Sequence, residues 1–499
     1  MTPFAVIITI AAYFLVLFGV SHLAGRKADN AGFFIGNRKS SWYVVAFAMI
    51  GSSISGVTFM SVPGMVDPKA FSYMQMVLGF FVGQIIISFV LIPLFYKINL
   101  FSIYEYLDKR FGVRSYKTGA WFFFISKMLG ASVRLFLVCV FLQMLVFGPL
   151  NLPFFLNVIF TVSLVWLYTH QGGVRTLIWT DSLKTFCLIV SVILTIYFIA
   201  KSMNMNFTGM VAAIRGSDLS RTFFFDNPKE KTFFWKQFLA GIFTMIATTG
   251  LDQDFMQRNL SCKNPRDSQK NILTSGFIQL GINMMFLMLG VLLYIFVDSK
   301  GITHPAKSDE LFPMIATGGY LPYIVGILFI VGLISSAYAA AGSALTALTT
   351  SFTVDVVGIH GKSEGDIKTS RKKIHLGMAV VMGVVIFVFN LLNNTSVIDA
   401  VYVLASYTYG PILGLFAFGI FTKKQVRDKW VPLVAIASPV LCFIIQKITV
   451  AVWEYHFSYE LIIMNAAITF IGMCMLIAPQ PKTAPNPPDK SGQALKGEL

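Results

Sequence analysis

The feature that most limits what this chain can become is its series of long apolar runs. A run of about 20 apolar residues crosses a bilayer as a helix, and such runs recur from Phe4 to Ala478. Asp, Glu, Lys and Arg together make up only 12% of the 499 residues, and 56% are hydrophobic. A soluble domain carries about 25% charged residues, so a water-facing surface cannot be built from so few. Inside a bilayer every backbone polar group must be bonded within the protein, which leaves helices and closed barrels as spanning structures. Barrel strands read as short alternating segments, whereas these runs are continuous. The fold class is therefore an all-α membrane protein.

About thirteen spans can be marked, near 4–24, 43–65, 71–96, 118–148, 153–169, 176–200, 234–250, 272–297, 319–353, 375–392, 396–421, 430–451 and 459–478. The first lacks a basic leader and a small-residue cleavage site, so it reads as a retained helix. Residues 479–499 are rich in Pro and Lys and read as a disordered tail. With the N-terminus outside, 26 of the 39 basic residues fall in inner segments, and none falls near Asn151 or Asn393. That asymmetry places the N-terminus outside and the C-terminus in the cytoplasm. It also explains the net charge of +16 without a nucleic-acid partner.

The chain lacks the marks of other classes. Its six histidines lie near span ends or in loops and form no metal spacing with acids, and its five cysteines show no paired spacing. There is no phosphate-cradling Gly-Lys-Ser loop, so neither an enzyme nor an ATP-driven pump is indicated. A solute sensor lacking flux is the remaining alternative to a transporter, and no signalling domain is attached.

Two spans are polar in the middle. One holds Gly51-Ser52-Ser53-Ile54-Ser55-Gly56-Val57-Thr58; the other holds Thr244, Thr248, Thr249 and Gly250. Gly and Ser weaken a helix, and paired interruptions in corresponding halves point to a solute site at the bilayer midplane. Close packing through small residues is the alternative for either one alone. Charges inside spans are Lys127, Arg134, Lys184, Lys447, Asp181 and Asp399. Such charges are costly and mark function, snorkelling or structural pairs.

Several motifs resemble the sodium:solute symporter family, from about Phe33 to Thr422. They are Phe33-Phe34-Ile35-Gly36-Asn37-Arg38, Tyr104-Glu105-Tyr106-Leu107-Asp108-Lys109-Arg110-Phe111-Gly112, Trp179-Thr180-Asp181, and Gly250-Leu251-Asp252-Gln253-Asp254 with Gln257-Arg258. The resemblance implies a 5+5 inverted-repeat core with one leading and two trailing helices. Residues 1–42 would lead in, 43–200 and 201–421 would form the repeats, 422–478 the trailing helices, and 479–499 a cytoplasmic tail. It also implies sodium-driven import by alternating access, with no cofactor beyond sodium as coupling ion.

The resemblance carries over a sodium site residue by residue. Its helix-1 carbonyls fall on Gly51 and Ile54. Anchoring on Phe352-Thr353-Val354-Asp355 puts Ala339 and Ala340 where a hydroxyl pair is usual, and Ser336 where a further carbonyl is expected. Ser343 and Asp181 match positions used for a second sodium in some members. A hard cation takes about six oxygens, and alanine side chains offer none. The helix-5 motif ends in Lys184 where the family has Gln. Two readings of Lys184 are open: its ammonium replaces the sodium, with Asp181 as counter-ion and coupling to protons or exchange, or it pairs with Asp181 and sodium binds nearby.

The solute assignment rests on Arg134. In bacterial sialic-acid members a helix-3 arginine holds the substrate carboxylate with help from helix-1 hydroxyls, and Arg134, Ser53, Ser55 and Thr58 look similar. Arg is permanently charged and suited to bidentate carboxylate binding. Gln75 and Thr248 complete the candidate solute contacts. The expected partners are thus a small anionic solute and the lipid bilayer.

Overall fold

The computed structural model describes residues 2–25, 41–98, 102–169, 174–353, 364–392 and 396–478. The loop motif at 33–38 and the tail at 479–499 lie outside these residues. Among the described residues the regular structure is helical, and the only extended pairing is one bridge between Val426 and Ile477.

The principal helices are α1 (Pro3–Gly25), α2 (Trp42–Ser53), α3 (Gly56–Gly64), α4 (Tyr73–Ile86), α5 (Val113–Leu142), α6 (Phe154–Thr169), α7 (Val174–Ser202) and α8 (Phe234–Met245). They continue as α9 (Gln253–Asn259), α10 (Pro265–Lys300), α11 (Tyr323–Ser351), α12 (Glu364–Leu392), α13 (Val397–Phe421), α14 (Val431–Trp453) and α15 (Leu461–Met475). Among the described residues eight helices are long and apolar enough to cross a membrane, or nine with the bent pair at α2–α3 counted as one span. The chain is thus an integral membrane protein.

Several helices outrun the apolar runs that announced them. The run at about 272–297 lies within α10, and the run at about 375–392 is the second half of α12. Hydropathy marks only the part of a helix in hydrocarbon, and polar turns such as Arg266-Asp267-Ser268 continue the spiral into the aqueous layer. Local capping ends these extensions. Asn264 accepts from the Asp267 N–H at 2.9 Å, with Pro265 opening α10, and Gly301 closes it at φ 64°.

Packing then positions the site. Helix α8 runs along α4, α13 packs against α5 and α15, and α11 packs against α5 and α7. The α4–α8 contact depends on two glycines: a Cβ on Gly79 would run into the Phe238 carbonyl, and one on Gly241 into the Met76 carbonyl. Without side chains there, the two backbones meet directly, as small residues permit in membranes.

Candidate functional site

The two interruptions expected from the sequence border one cavity. Helix α2 runs through Gly51 to Ser53 and breaks at Ile54 (φ −82°, ψ 100°), after which α3 resumes at a 54° bend. Helix α8 runs into a π-helical turn at Ile246–Gly250 and restarts as α9, whose N-cap is Asp252. Between the breaks lies a cavity of about 120 Å³ lined by Ser53, Arg134, Thr248, Ala340 and Ser343, together with Lys127, Asp252, Asp254 and Arg258.

Of the six candidate solute residues, Ser53, Arg134 and Thr248 line this cavity. The Thr248 hydroxyl donates to the Thr244 carbonyl at 2.8 Å, which repairs the helix beside the break and leaves its lone pairs to the cavity. Ser55 and Thr58 do not line it. The Ser55 hydroxyl accepts from the Thr58 N–H at 3.4 Å and lies 3.4 Å from the Thr58 hydroxyl, so this pair caps α3. Gln75 departs from its expected role. It is fully buried, donates to the Ser72 and Thr232 carbonyls at 3.2 and 2.8 Å, and accepts from the Phe224 N–H at 3.1 Å. Its amide clamps the loop of residues 217–233 onto α4, a structural duty that the sequence pattern did not distinguish from solute contact.

Of the eight cation-site candidates, Ile54 and Ser336 meet. The Ser336 hydroxyl donates to the Ile54 carbonyl at 3.3 Å, and both residues are buried. Alignment gave Ser336 only a backbone part, whereas its side chain brings a second oxygen to the break. Gly51 is buried one turn back on α2. The neighbouring Ser335 hydroxyl turns away, to the Gly332 carbonyl. Ala340 lines the cavity and contributes no oxygen from its side chain. Asp181 and Lys184 lie on α7 and Ala339 on α11, with side chains outside the described residues.

Ser343 belongs to a buried charge cluster. Its hydroxyl donates to Asp254 at 2.8 Å and accepts from Arg258. The Lys127 ammonium reaches both Asp252 oxygens at 3.1 Å and Asp254 at 3.2 Å. Arg258 pairs with Asp254 at 3.3 Å, and the Tyr409 hydroxyl donates to Asp252 at 2.9 Å. The cluster joins α5, α9, α11 and α13 through side chains that are mostly buried. Asp252, Asp254 and Arg258 stood in the sequence only as parts of a motif; the signal for a buried charge cluster was Lys127, a charge inside a span.

Arg134 differs from the other cavity cations. No acidic partner meets its guanidinium among the described residues. Of the other intramembrane charges whose side chains are described, Asp399 pairs with Lys69 at 2.7 Å, and the Lys447 ammonium lies 5.5 Å from the centre of the Phe443 ring.

The profile of the sodium:solute symporter family matches residues 33–428. The chain belongs to the sodium:solute symporter family. Among its relatives, the sodium/sialic acid symporter NanT of Aliivibrio fischeri is 25% identical over 486 residues, covering 91% of this chain and 89% of that protein. The sodium/sialic acid symporter SiaT of Proteus mirabilis is 24% identical over 431 residues, covering 82% and 83%. A solved structure of a Na+-coupled sialic acid symporter, substrate-bound and outward-open, superposes with a TM-score of 0.78 at 18% identity, covering 95% of this chain and 97% of that one. The symporter described here has that fold. As a family member it is a secondary transporter with sodium as its coupling ion; the comparisons do not favour a sodium-independent transporter or a sensor.

Proposed function

We propose that this symporter imports a carboxylate-bearing solute of the sialic-acid class together with sodium, and that Arg134 holds the carboxylate. The observation that carries this reading is charge balance in the cavity. Its described lining holds three cations, Lys127, Arg134 and Arg258, and two anions, Asp252 and Asp254. The anions are taken by Lys127 and Arg258. One positive charge is left at Arg134, and one carboxylate neutralises it. A desolvated guanidinium gains most from a bidentate acidic partner. The sialic-acid relatives agree with a solute of that charge.

Sodium enters this reading at the break, between the Gly51 and Ile54 carbonyls and Ser336. The Ser336 hydroxyl turns its proton from Ile54 and offers a lone pair instead. The thirteen spans, the two repeats at 43–200 and 201–421, the leading and trailing segments, and the inner membrane with N-terminus outside and C-terminus in the cytoplasm belong to the same reading. Support for the repeats comes from the matched breaks after Ser53 and Gly250, both of which border the cavity.

The experiment is uptake of labelled sialic acid by the purified protein in liposomes under an inward sodium gradient. Arg134→Ala is expected to raise the KM by about 100-fold, the equivalent of about 3 kcal/mol for a charge-assisted bidentate contact. Arg134→Lys restores part of the affinity, since it keeps the charge and loses the fork. Unchanged affinity in Arg134→Ala overturns the assignment.

A further inference from the structure

A groove of about 380 Å³ runs along the outer face of the molecule between α6 and α12. Its floor is made of small side chains, Ala379 and Gly383, set against Val158 and Val162. A Cβ on Gly383 would only touch those two valines, at 3.8 Å, so open space lies above the floor. The rims stay exposed: Ile159 is 57% accessible, and Val380 and Val384 are each 58%. One end of the groove is fixed by His375, whose ring nitrogens meet the Thr169 hydroxyl of α6 at 2.8 Å and the Thr349 hydroxyl of α11 at 3.0 Å. The groove is therefore a formed channel between anchored helices.

Its charge pattern identifies an occupant. Residues three and four apart share a helix face. Reading back from the groove wall through Val380 and Leu376, the same stripe of α12 reaches Lys372 and Lys373, both exposed. Neither forms an ion pair among the described residues. From Leu376 to Phe387 the stripe is about 16 Å long at about 1.5 Å per residue. That is close to one leaflet, half of a hydrocarbon core of about 30 Å. An apolar slot one leaflet long, with two cations at its aqueous end, has the form of a single lipid.

We propose that the α6–α12 groove binds an anionic glycerophospholipid of the surrounding bilayer, one acyl chain in the slot and the headgroup phosphate at Lys372 and Lys373. Basic residues at a seam between membrane helices recognise anionic headgroups by charge, and the slot adds the apolar contact that holds one molecule in place. The site is separate from the solute cavity.

The test is native mass spectrometry of the purified protein with equal amounts of phosphatidylglycerol and phosphatidylcholine of the same chains. The parent is expected to retain phosphatidylglycerol at least about tenfold better, as two surface cations imply. The double variant Lys372→Gln/Lys373→Gln loses that preference and still keeps a lipid. Gly383→Leu, which fills the slot, loses both lipids. Sodium-driven uptake by each variant shows that it is folded. Equal retention of the two lipids by the parent, or an undiminished preference in the double variant, overturns the proposal. So does a lipid-free dimer that Gly383→Leu splits, since the groove would then be an interface between two copies.

Discussion

Lys127 shows how one residue inside a span is made tolerable. Its ammonium is shared by Asp252 and Asp254 at 3.1 and 3.2 Å, with side chains 8%, 3% and 17% exposed. Removing one member of a buried pair strands its partner's charge, at a cost of about 3–5 kcal/mol. Lys127→Ala should therefore lower the thermal midpoint of the purified protein sharply, and adding Asp252→Asn should recover part of the loss. A single variant as stable as the parent would mean that the cluster is solvated. Asp309 makes the opposite case, outside the spans. It is buried, one oxygen accepts from the Val397 N–H at 3.0 Å, and the Ser61 hydroxyl lies beside the carboxylate. Burial raises its pKa above the ordinary carboxyl value, and the nearby Asp399 adds to the effect. The folded state then holds a proton that the unfolded state has released. Its contribution to stability is full below the ordinary Asp value and is lost as pH rises through the raised one. Asp309→Asn keeps the acceptor and has no charge to bury. Its stability, relative to the parent, should rise with pH across that window in thermal unfolding series; parallel curves refute this. The sequence announced Lys127 as a charge out of place, whereas Asp309 lay unremarked in a loop, because its burial depends on how residues 308–310 fold against α13.

At the scale of elements, the breaks and the close contacts matter most. The interruption at 51–56 was legible because Gly and Ser lower helix propensity locally, and the break falls at Ile54 and Ser55 within that segment. The contact of α4 with α8 was not legible, since Gly79 and Gly241 look like any glycines in an apolar run. Gly79→Leu is expected to force the two helices apart and to abolish folded, monodisperse protein in size-exclusion chromatography. Gly377, whose added Cβ would meet nothing within 4 Å, should accept alanine without that effect. If both variants behave alike, direct backbone contact is not what joins α4 to α8.

For the whole molecule the question is what drives transport. The cavity sits between two broken helices, and sodium coupling follows from the family. Uptake into proteoliposomes should collapse when choline replaces sodium, and an imposed proton gradient should not restore it. Ser336→Ala should raise the sodium concentration needed for half-maximal uptake, because it removes the one described side-chain oxygen beside the Ile54 carbonyl. Sodium-independent uptake of equal rate would contradict both statements.

By itself the sequence determined the membrane class, the position of the long apolar helices and the location of the breaks. Each of these is set by residues within one or two turns of each other, through hydropathy and propensity. Only the tertiary structure decided which side chains share a site. Ser336 meets a carbonyl 282 positions away, and Gln75 is drawn from the candidate solute set by partners 149 and 157 positions along the chain. Nothing local distinguishes a buried amide that clamps a loop from one that awaits a solute. The difference lies in what the fold brings within hydrogen-bond reach, and Arg134 is marked out by the same rule, as the cavity cation that meets no acid among the described residues.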